Sequence, residues 1–99
     1  MFSLLLNRTL KLGRKHTENK ALILEAIRAY GIIGARGGAT TLNVMYEVYL
    51  SHDQAQYYLI ELLNSRMIER DVGTKKYMVT GKGIQYLRAY YDLDSIVKN

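Results

Sequence analysis

The sequence has 99 residues, 48% of them hydrophobic, and a formal net charge of +5. This length allows one domain with a modest core, and the hydrophobic content excludes a disordered polypeptide. The chain has no cysteine, which excludes disulfides, Cys-based zinc sites and thiol catalysis.

Residues 1–16 are predicted to form an N-terminal arm, apolar first and basic afterwards. It carries Arg8, Lys11, Arg14 and Lys15, and no acidic residue precedes Glu18. Such an arm can follow DNA phosphates or enter a minor groove. The alternatives are a poorly ordered terminus whose leucines pack on the domain or a partner, or attachment to a membrane surface, which we do not favour.

The rest of the chain is nearly neutral, with ten basic and nine acidic residues from residue 17 onward. Any contact with nucleic acid must therefore come from local clusters. The apolar run at residues 4–6 is too short for a signal peptide, and no stretch is long enough to span a bilayer. We expect a soluble, cytoplasmic protein.

A first helix is predicted over residues 17–31, with Thr17 as N-cap and Gly31 at its end. Its buried face is assigned to Leu22, Ile23, Ala26, Ile27 and Tyr30, which recur at helical spacing. The glycine-rich connector that follows lacks the Gly-Lys-Ser/Thr ending of a phosphate loop. Ala39 and Thr40 are predicted to form a very short strand.

A second helix, capped by Thr41, is predicted over residues 42–50. Its inward face is assigned to Leu42, Met45, Tyr46 and either Tyr49 or Leu50. Ser51 and Gln54 then have the spacing of a capping box, which predicts a third helix directly afterwards. The inward positions of this helix are Ala55, Tyr58, Leu59, Leu62 and Leu63. Two helices with almost no connector are typical of a helix-turn-helix.

Two strands are predicted in "MIERD" and "KKYMVT", with Ile68, Tyr77 and Val79 facing inward. Gly73 is placed in the turn, where a positive φ costs little. A last helix begins at Thr80 or Gly81. The predicted fold is α+β, mostly α: a winged helix-turn-helix over residues 17–81, with a C-terminal dimerisation helix over residues 82–99.

Candidate DNA contacts lie on the third helix, the hairpin and the arm. They are Ser51, His52, Gln54, Gln56 and Tyr57; Arg70, Lys75 and Lys76; and Arg8, Lys11, Arg14 and Lys15. Amide side chains match adenine in the major groove, and lysines placed in a wing can reach flanking phosphates. The alternatives are an ordinary solvated helix face and lysines that protect an edge strand from aggregation.

The last helix carries two apolar stripes. Ile84, Leu87 and Tyr91 form one stripe, and Tyr86, Tyr90, Leu93 and Val97 form the other. One stripe can dock on its own domain, and the second is predicted to form a homodimer interface. The alternative is a single helix that wraps its own domain with half-exposed tyrosines.

At several positions the sequence resembles an archaeal winged helix-turn-helix family of small, basic, dimeric DNA-binding proteins. Members of that family are described as chromatin proteins and transcriptional regulators, and relatives occur in archaeal viruses. The matching positions are Met45-Tyr46, Leu50-Ser51, Tyr58-Leu59, Leu62-Leu63, Ile68, Tyr77, Thr80 and Lys82-Gly83. The resemblance covers roughly residues 17–95. It implies a DNA-binding homodimer whose last helix pairs in an antiparallel coiled coil. It also implies association with the nucleoid, or a location in the host cytoplasm if the origin is viral.

Catalysis finds little support in the sequence. His16 and His52 are the only histidines, and neither has a metal-ligand spacing. We expect no enzymatic activity, cofactor, metal or small-molecule ligand. The predicted function is duplex-DNA binding as a transcriptional regulator or nucleoid-organising protein. The alternative is a winged helix for protein–protein assembly without direct DNA binding.

Overall fold

The computed structural model describes residues 14–33 and 37–98. Within them the chain forms four helices and one two-stranded antiparallel sheet. The helices are α1 (His16–Ile33), α2 (Thr41–Val48), α3 (His52–Asn64) and α4 (Gly81–Lys98), and the strands are β1 (Ile68–Arg70) and β2 (Tyr77–Val79). The predicted α+β, mostly α, fold with a winged-helix order of elements is confirmed.

One hydrophobic core holds these elements together. Its largest fully buried side chains are Ile23, Leu24 and Ile27 of α1, Val44 and Val48 of α2, Leu59 and Leu62 of α3, and Ile68 of β1. Burying each such side chain stabilises the fold by about 1.5–3 kcal/mol. All four helices and both strands contribute to this core, and α3 is held in it through Ala55, Tyr58, Leu59 and Leu62.

The bounds of α1 correct two predictions. Thr17 is not the N-cap, because α1 begins at His16 and the Asn19 N–H already donates to the Lys15 carbonyl at 3.0 Å. Gly31 does not end the helix, which continues to Ile33. The glycine signal failed because a glycine within a helix is tolerated when the following residues continue the backbone hydrogen bonds.

α2 also departs from its predicted cap and face. Thr40, not Thr41, is the N-cap and forms a capping box with Asn43. The inward residues are Val44 and Val48, with Met45 partly buried against the core. Leu42 and Tyr46, which were predicted to face inward, are instead 53% and 70% exposed. Of the two alternatives Tyr49 and Leu50, Leu50 is the buried residue.

The turn between α2 and α3 is tight. Tyr49 takes a left-handed conformation at φ 58°, and its N–H bonds back to the Met45 carbonyl. The Leu50 N–H donates to the same carbonyl at 3.1 Å. Ser51 then caps α3, so that residues 49–51 alone connect the two helices of the helix-turn-helix.

The hairpin pairs Ile68 with Val79 and Arg70 with Tyr77. Ala39 extends it by an isolated bridge with two hydrogen bonds to Tyr77. Thr40, predicted to share a very short strand with Ala39, caps α2 instead. The predicted inward residues Ile68 and Tyr77 are buried, and Val79 is partly buried.

The turn of the hairpin, residues 71–76, is the wing. Its positive φ falls on Lys75 at 62° and not on Gly73, so the predicted turn conformation is corrected. The reason lies in Asp71, whose carbonyl accepts the Lys75 N–H at 2.7 Å and whose carboxylate accepts the Thr74 N–H at 2.6 Å. Hydrogen bonds to the carboxylate lower the pKa of Asp71 below its ordinary value, first from the Thr74 backbone N–H and then from the Thr74 side chain.

Thr80 starts α4 and ties it to the end of the helix-turn-helix. Its hydroxyl donates to the Arg66 carbonyl at 2.7 Å and accepts the Gly83 N–H at 3.2 Å. The helix thus crosses close to the backbone at Met67. A Cβ at Gly83 would lie 2.3 Å from the Met67 carbonyl oxygen, so a glycine is required at this crossing.

Candidate nucleic-acid interface

The capping box predicted at the start of α3 is present. The Ser51 N–H donates to Oε1 of Gln54 at 3.0 Å, and the Gln54 N–H donates to Oγ of Ser51 at 3.2 Å. Two of the predicted DNA contacts therefore hold the helix end, although both residues remain exposed. The Gln54 amide oxygen is occupied, which leaves the amide nitrogen as the group that can donate outward.

The face of α3 opposite the core is set by the buried residues Ala55, Tyr58, Leu59 and Leu62. At 100° per residue, the positions that point most directly away from them are Asp53, Tyr57, Ile60 and Asn64. Tyr57 and Ile60 are 50% and 52% exposed. Of these four only Tyr57 was predicted as a contact. Helical phase alone could have found the other three, because the buried positions were already correct.

An ion pair and a hydrogen bond organise one edge of this face. Lys20 of α1 lies 3.0 Å from the Glu61 carboxylate, and Tyr57 hydrogen-bonds to the same carboxylate. The bond to Lys20 is the larger of the two effects that hold the pKa of Glu61 below its ordinary value. The same partnership raises the pKa of Lys20. The negative charge of Glu61 is thus offset by the positive charge of Lys20.

The other acid on α3 has no such partner in α1. Asp53 lies 3.7 Å from Nδ1 of His52, an ion pair only when the imidazole is protonated. Both side chains are strongly exposed. Gln56, the remaining predicted contact on this helix, is half-buried on the flank of the outer face.

A buried hydrogen-bond network fixes α3 against α1. The Tyr58 hydroxyl accepts from Nδ2 of Asn19 at 2.9 Å and lies 2.6 Å from Nδ1 of His16. The His16 ring also packs against Tyr57 and Tyr58, with ring centroids 6.1 and 5.6 Å apart. Because Tyr57 belongs to the outer face, this network sets both the position and the rotation of α3.

The wing presents its cations unequally. Lys75 is exposed at the left-handed residue of the turn, and Lys76 is half-buried. Arg70 is exposed, and its guanidinium lies 5.5 Å from the ring centroid of Tyr77, the residue paired with it across the hairpin. This cation–π contact with Tyr77 restrains the Arg70 side chain. Its N–H groups can still donate to an anion.

The structure describes two of the four basic residues of the arm. Lys15 is exposed. Arg14 instead turns into the fold, where its Nη2 donates to the carbonyl of Val48 at the end of α2. Burial lowers the pKa of this guanidinium. Arg8 and Lys11 lie outside the described residues.

The predicted dimer residues occupy different environments on α4. Tyr86 and Tyr90 are half-buried against their own core, and the Tyr86 hydroxyl donates to the Thr17 carbonyl at 3.3 Å. Leu93 is 62% exposed. Together with Thr17 and Ala89, these three side chains line a cavity of about 260 Å³. The side chain of Val97 lies outside the described part of the chain.

The two stripes predicted on α4 are therefore not separated as expected. The inward face combines Leu87, which is 3% exposed, with parts of Tyr86 and Tyr90. Tyr91, predicted to belong with Leu87, is 41% exposed and donates its hydroxyl to the Glu25 carboxylate of α1 at 2.6 Å.

Two further properties concern the described residues only. They contain no group of three or more His, Cys, Asp or Glu side chains that could hold a metal ion. Among residues 14–33 and 37–98, none of the helices has the length and apolar character needed to cross a bilayer.

A helix-turn-helix whose second helix is followed by a two-stranded wing defines the winged-helix class of domain. The chain belongs to the winged helix-turn-helix family, whose model matches residues 17–98. It resembles the crystal structure of MepR, described as a transcription regulator of the Staphylococcus aureus multidrug efflux pump MepA, with a TM-score of 0.68 and 15% sequence identity. That match covers 99% of this chain and 79% of MepR and shows a shared fold. None of the curated proteins matches the chain.

Proposed function

We propose that this protein binds double-stranded DNA, with α3 in the major groove and the wing and arm on flanking phosphates, and acts as a transcriptional regulator or nucleoid-organising protein. The observation that carries the proposal is the exposed outer face of α3. It belongs to a helix that is rigidly held on its inner side and joined to α2 by a tight turn. This is the arrangement in which a recognition helix enters a groove.

The charge next to α3 supports the same function. Residues 66–82 contain five basic and two acidic residues, an excess that the rest of the folded body lacks. Arg66, Arg70, Lys75 and Lys82 are exposed there. Since α3 itself carries no Lys or Arg, affinity for phosphates must come from these flanking residues and from Arg8, Lys11 and Lys15 of the arm.

A second function, protein–protein assembly, is favoured by the outer face of α3 itself. Asp53 repels phosphates, and Ile60 offers an exposed apolar group. Such a face can also dock on another protein. Salt separates the two functions, because DNA binding weakens steeply as counterions are released, whereas a largely apolar interface responds little.

We further propose that the protein is a homodimer formed through α4. The helix is 18 residues long, and it carries exposed Leu93 beside the cavity lined by Tyr86 and Tyr90. A two-fold pairing would cover this surface in both copies and present two α3 helices to one duplex.

The experiment is a fluorescence-anisotropy titration of a labelled random-sequence duplex of about 20 bp at about 50 and about 200 mM salt. With about four phosphate contacts, the affinity of the full chain should fall about a hundredfold between the two conditions. The double variant Lys75→Ala/Lys76→Ala should bind more weakly and reduce the salt slope by about one to two.

A matched control is Arg28→Ala/Arg88→Ala, which removes the same charge from exposed positions on α1 and α4. It should bind almost as the parent chain does. Equal losses in both double variants would mean that net charge alone attracts DNA. An absence of binding at low salt and micromolar protein would favour protein–protein assembly instead.

A further inference from the structure

We propose that Ile60 reads thymine through its 5-methyl group and thereby gives the protein a preference for A·T-containing sites. This inference rests on the proposed DNA binding and adds the base that the outer face of α3 selects. Neither Ile60 nor Asn64 was among the contacts that the sequence predicted.

Ile60 is an exposed residue on the outer face of α3. It lies on the side of α3 turned away from buried Leu59 and Leu62, and 52% of its surface is exposed. Tyr57, one turn earlier, is similarly exposed. A duplex groove that receives this outer face therefore meets Ile60 next to Tyr57, in the third turn of the helix.

The chemistry of Ile60 limits what it can recognise. A branched hydrocarbon cannot hydrogen-bond to the donors and acceptors that most base edges present. The apolar feature of the major groove is the C5-methyl group of thymine, which cytosine lacks. Contact with that methyl removes apolar surface of both partners from water, whereas contact with the cytosine edge leaves the exocyclic amino group facing a hydrocarbon.

The neighbours of Ile60 on the same stripe agree with this assignment. Gln56 precedes it by four residues and Asn64 follows it by four, so an amide stands one turn away on each side. Side-chain amides are suited to the N6 and N7 groups of adenine. Gln56, Ile60 and Asn64 thus form a stripe in which an apolar side chain lies between two amides. This stripe matches neighbouring A·T pairs whose adenines and thymines alternate between the two strands.

The acidic group next to Ile60 is engaged within the protein. The Glu61 carboxylate is held by Lys20 at 3.0 Å and by Tyr57. The carboxylate is therefore less available to accept from a cytosine amino group, which is the acidic contact that would otherwise compete with thymine selection.

The test begins with selection of the tightest duplex from a random pool by the full chain. That duplex is then resynthesised with uracil in place of every thymine, which removes only the methyl groups. Each methyl buried against Ile60 should contribute about fourfold to affinity, so the full chain should bind the uracil duplex about fourfold more weakly for each recognition helix, or about sixteenfold more weakly as the proposed dimer. Ile60→Ala should bind both duplexes equally.

The control is Leu42→Ala, because Leu42 is an apolar residue of nearly the same exposure, 53%, on α2. It should keep the full difference between the thymine and uracil duplexes. Circular dichroism of both variants checks that neither exposed substitution alters the fold.

Three results would overturn the inference while leaving DNA binding intact. They are a pool that binds but yields no enriched sequence, equal affinity of the full chain for both duplexes, and a thymine preference that persists in Ile60→Ala. Binding to no pool at low salt would contradict the proposed function itself, and the inference with it.

Discussion

Gly83 shows how one residue fixes the crossing of α4 over the hairpin. A Cβ built there would lie 2.3 Å from the Met67 carbonyl oxygen and 2.7 Å from Cγ1 of Val79. The Met67 oxygen cannot withdraw easily, because it accepts the Thr80 N–H at 3.0 Å. Gly83→Ala should therefore lower the free energy of unfolding by about 1–3 kcal/mol, measured by urea denaturation.

Gly81→Ala is the matched control for that prediction. Both glycines lie in the first turn of α4, but no atom would come within 4 Å of a Cβ at Gly81. Alanine also restricts the unfolded chain, so this variant should be as stable as the parent or more stable by about 0.4–1 kcal/mol. Similar destabilisation by both substitutions would show that helix propensity, and not the close approach, governs the site.

The Glu61 carboxylate makes the stability of the folded protein depend on pH. Its pKa in the folded protein lies below the ordinary value, mainly because of the hydrogen bond to Lys20 and next because of Tyr57. A carboxyl with a depressed folded pKa stabilises the protein above its unfolded pKa, and this contribution disappears as the pH falls through the folded pKa. Glu61→Gln should thus be less stable than the parent chain at about pH 7, and the difference should shrink below about pH 4.

Glu69→Gln serves as the comparison in those unfolding measurements, because Glu69 is an exposed acid on β1. It removes the same negative charge without touching the ion pair with Lys20, so it separates the loss of that ion pair from the loss of net charge. A Glu61→Gln difference that stays constant from neutral to acid pH would show that the ion pair with Lys20 does not contribute to folding.

One buried hydroxyl group links α3 to α1 in addition to their apolar contacts. Tyr58 is 5% exposed and bonds to both Asn19 and His16. Tyr58→Phe keeps the ring but leaves the buried Asn19 donor without this partner, which should cost about 1–3 kcal/mol. Tyr46→Phe, at a 70% exposed position on α2, should leave the urea midpoint unchanged. Equal midpoints for the two variants would contradict the structural role of the network.

The elements that the sequence predicted best are those governed by local bonds. The capping box of Ser51 and Gln54 joins residues three apart, so its spacing is visible in the sequence. The inward face of α2 was wrong because the choice between Val44 and Tyr46 depends on how that helix docks on α1 and α3. Short helices offer too few periods to decide the phase from apolar residues alone.

In the candidate site, too, features set by local contacts could be predicted and features set by distant contacts could not. The exposed outer face of α3 and the exposed wing cation Lys75 follow from periodicity and turn position. The inward direction of Arg14 does not, because its partner Val48 lies 34 residues away along the chain. The left-handed residue of the wing also escaped prediction, since the hydrogen bonds of Asp71 select Lys75 over the more permissive Gly73.

At the scale of the whole molecule, the proposed dimer determines the affinity of the protein for a duplex. A single α3 without cations provides little affinity, whereas a dimer doubles the basic wing and arm and binds both half-sites together. α4 is about 27 Å long, which is enough for an antiparallel pair to bury several turns. Leu93→Glu places a charge on the most exposed large apolar residue described on that helix and should convert a dimer to a monomer at micromolar concentration.

Sedimentation equilibrium measures the change directly, and Leu42→Glu provides a control because Leu42 is comparably exposed on α2. The parent chain and Leu42→Glu should both sediment as dimers. Because the Leu93→Glu monomer loses the second half-site, its DNA affinity should also fall by at least tenfold while each α3 stays intact. A monomeric parent chain, or a Leu93→Glu protein that remains dimeric, would place the partner surface elsewhere than α4.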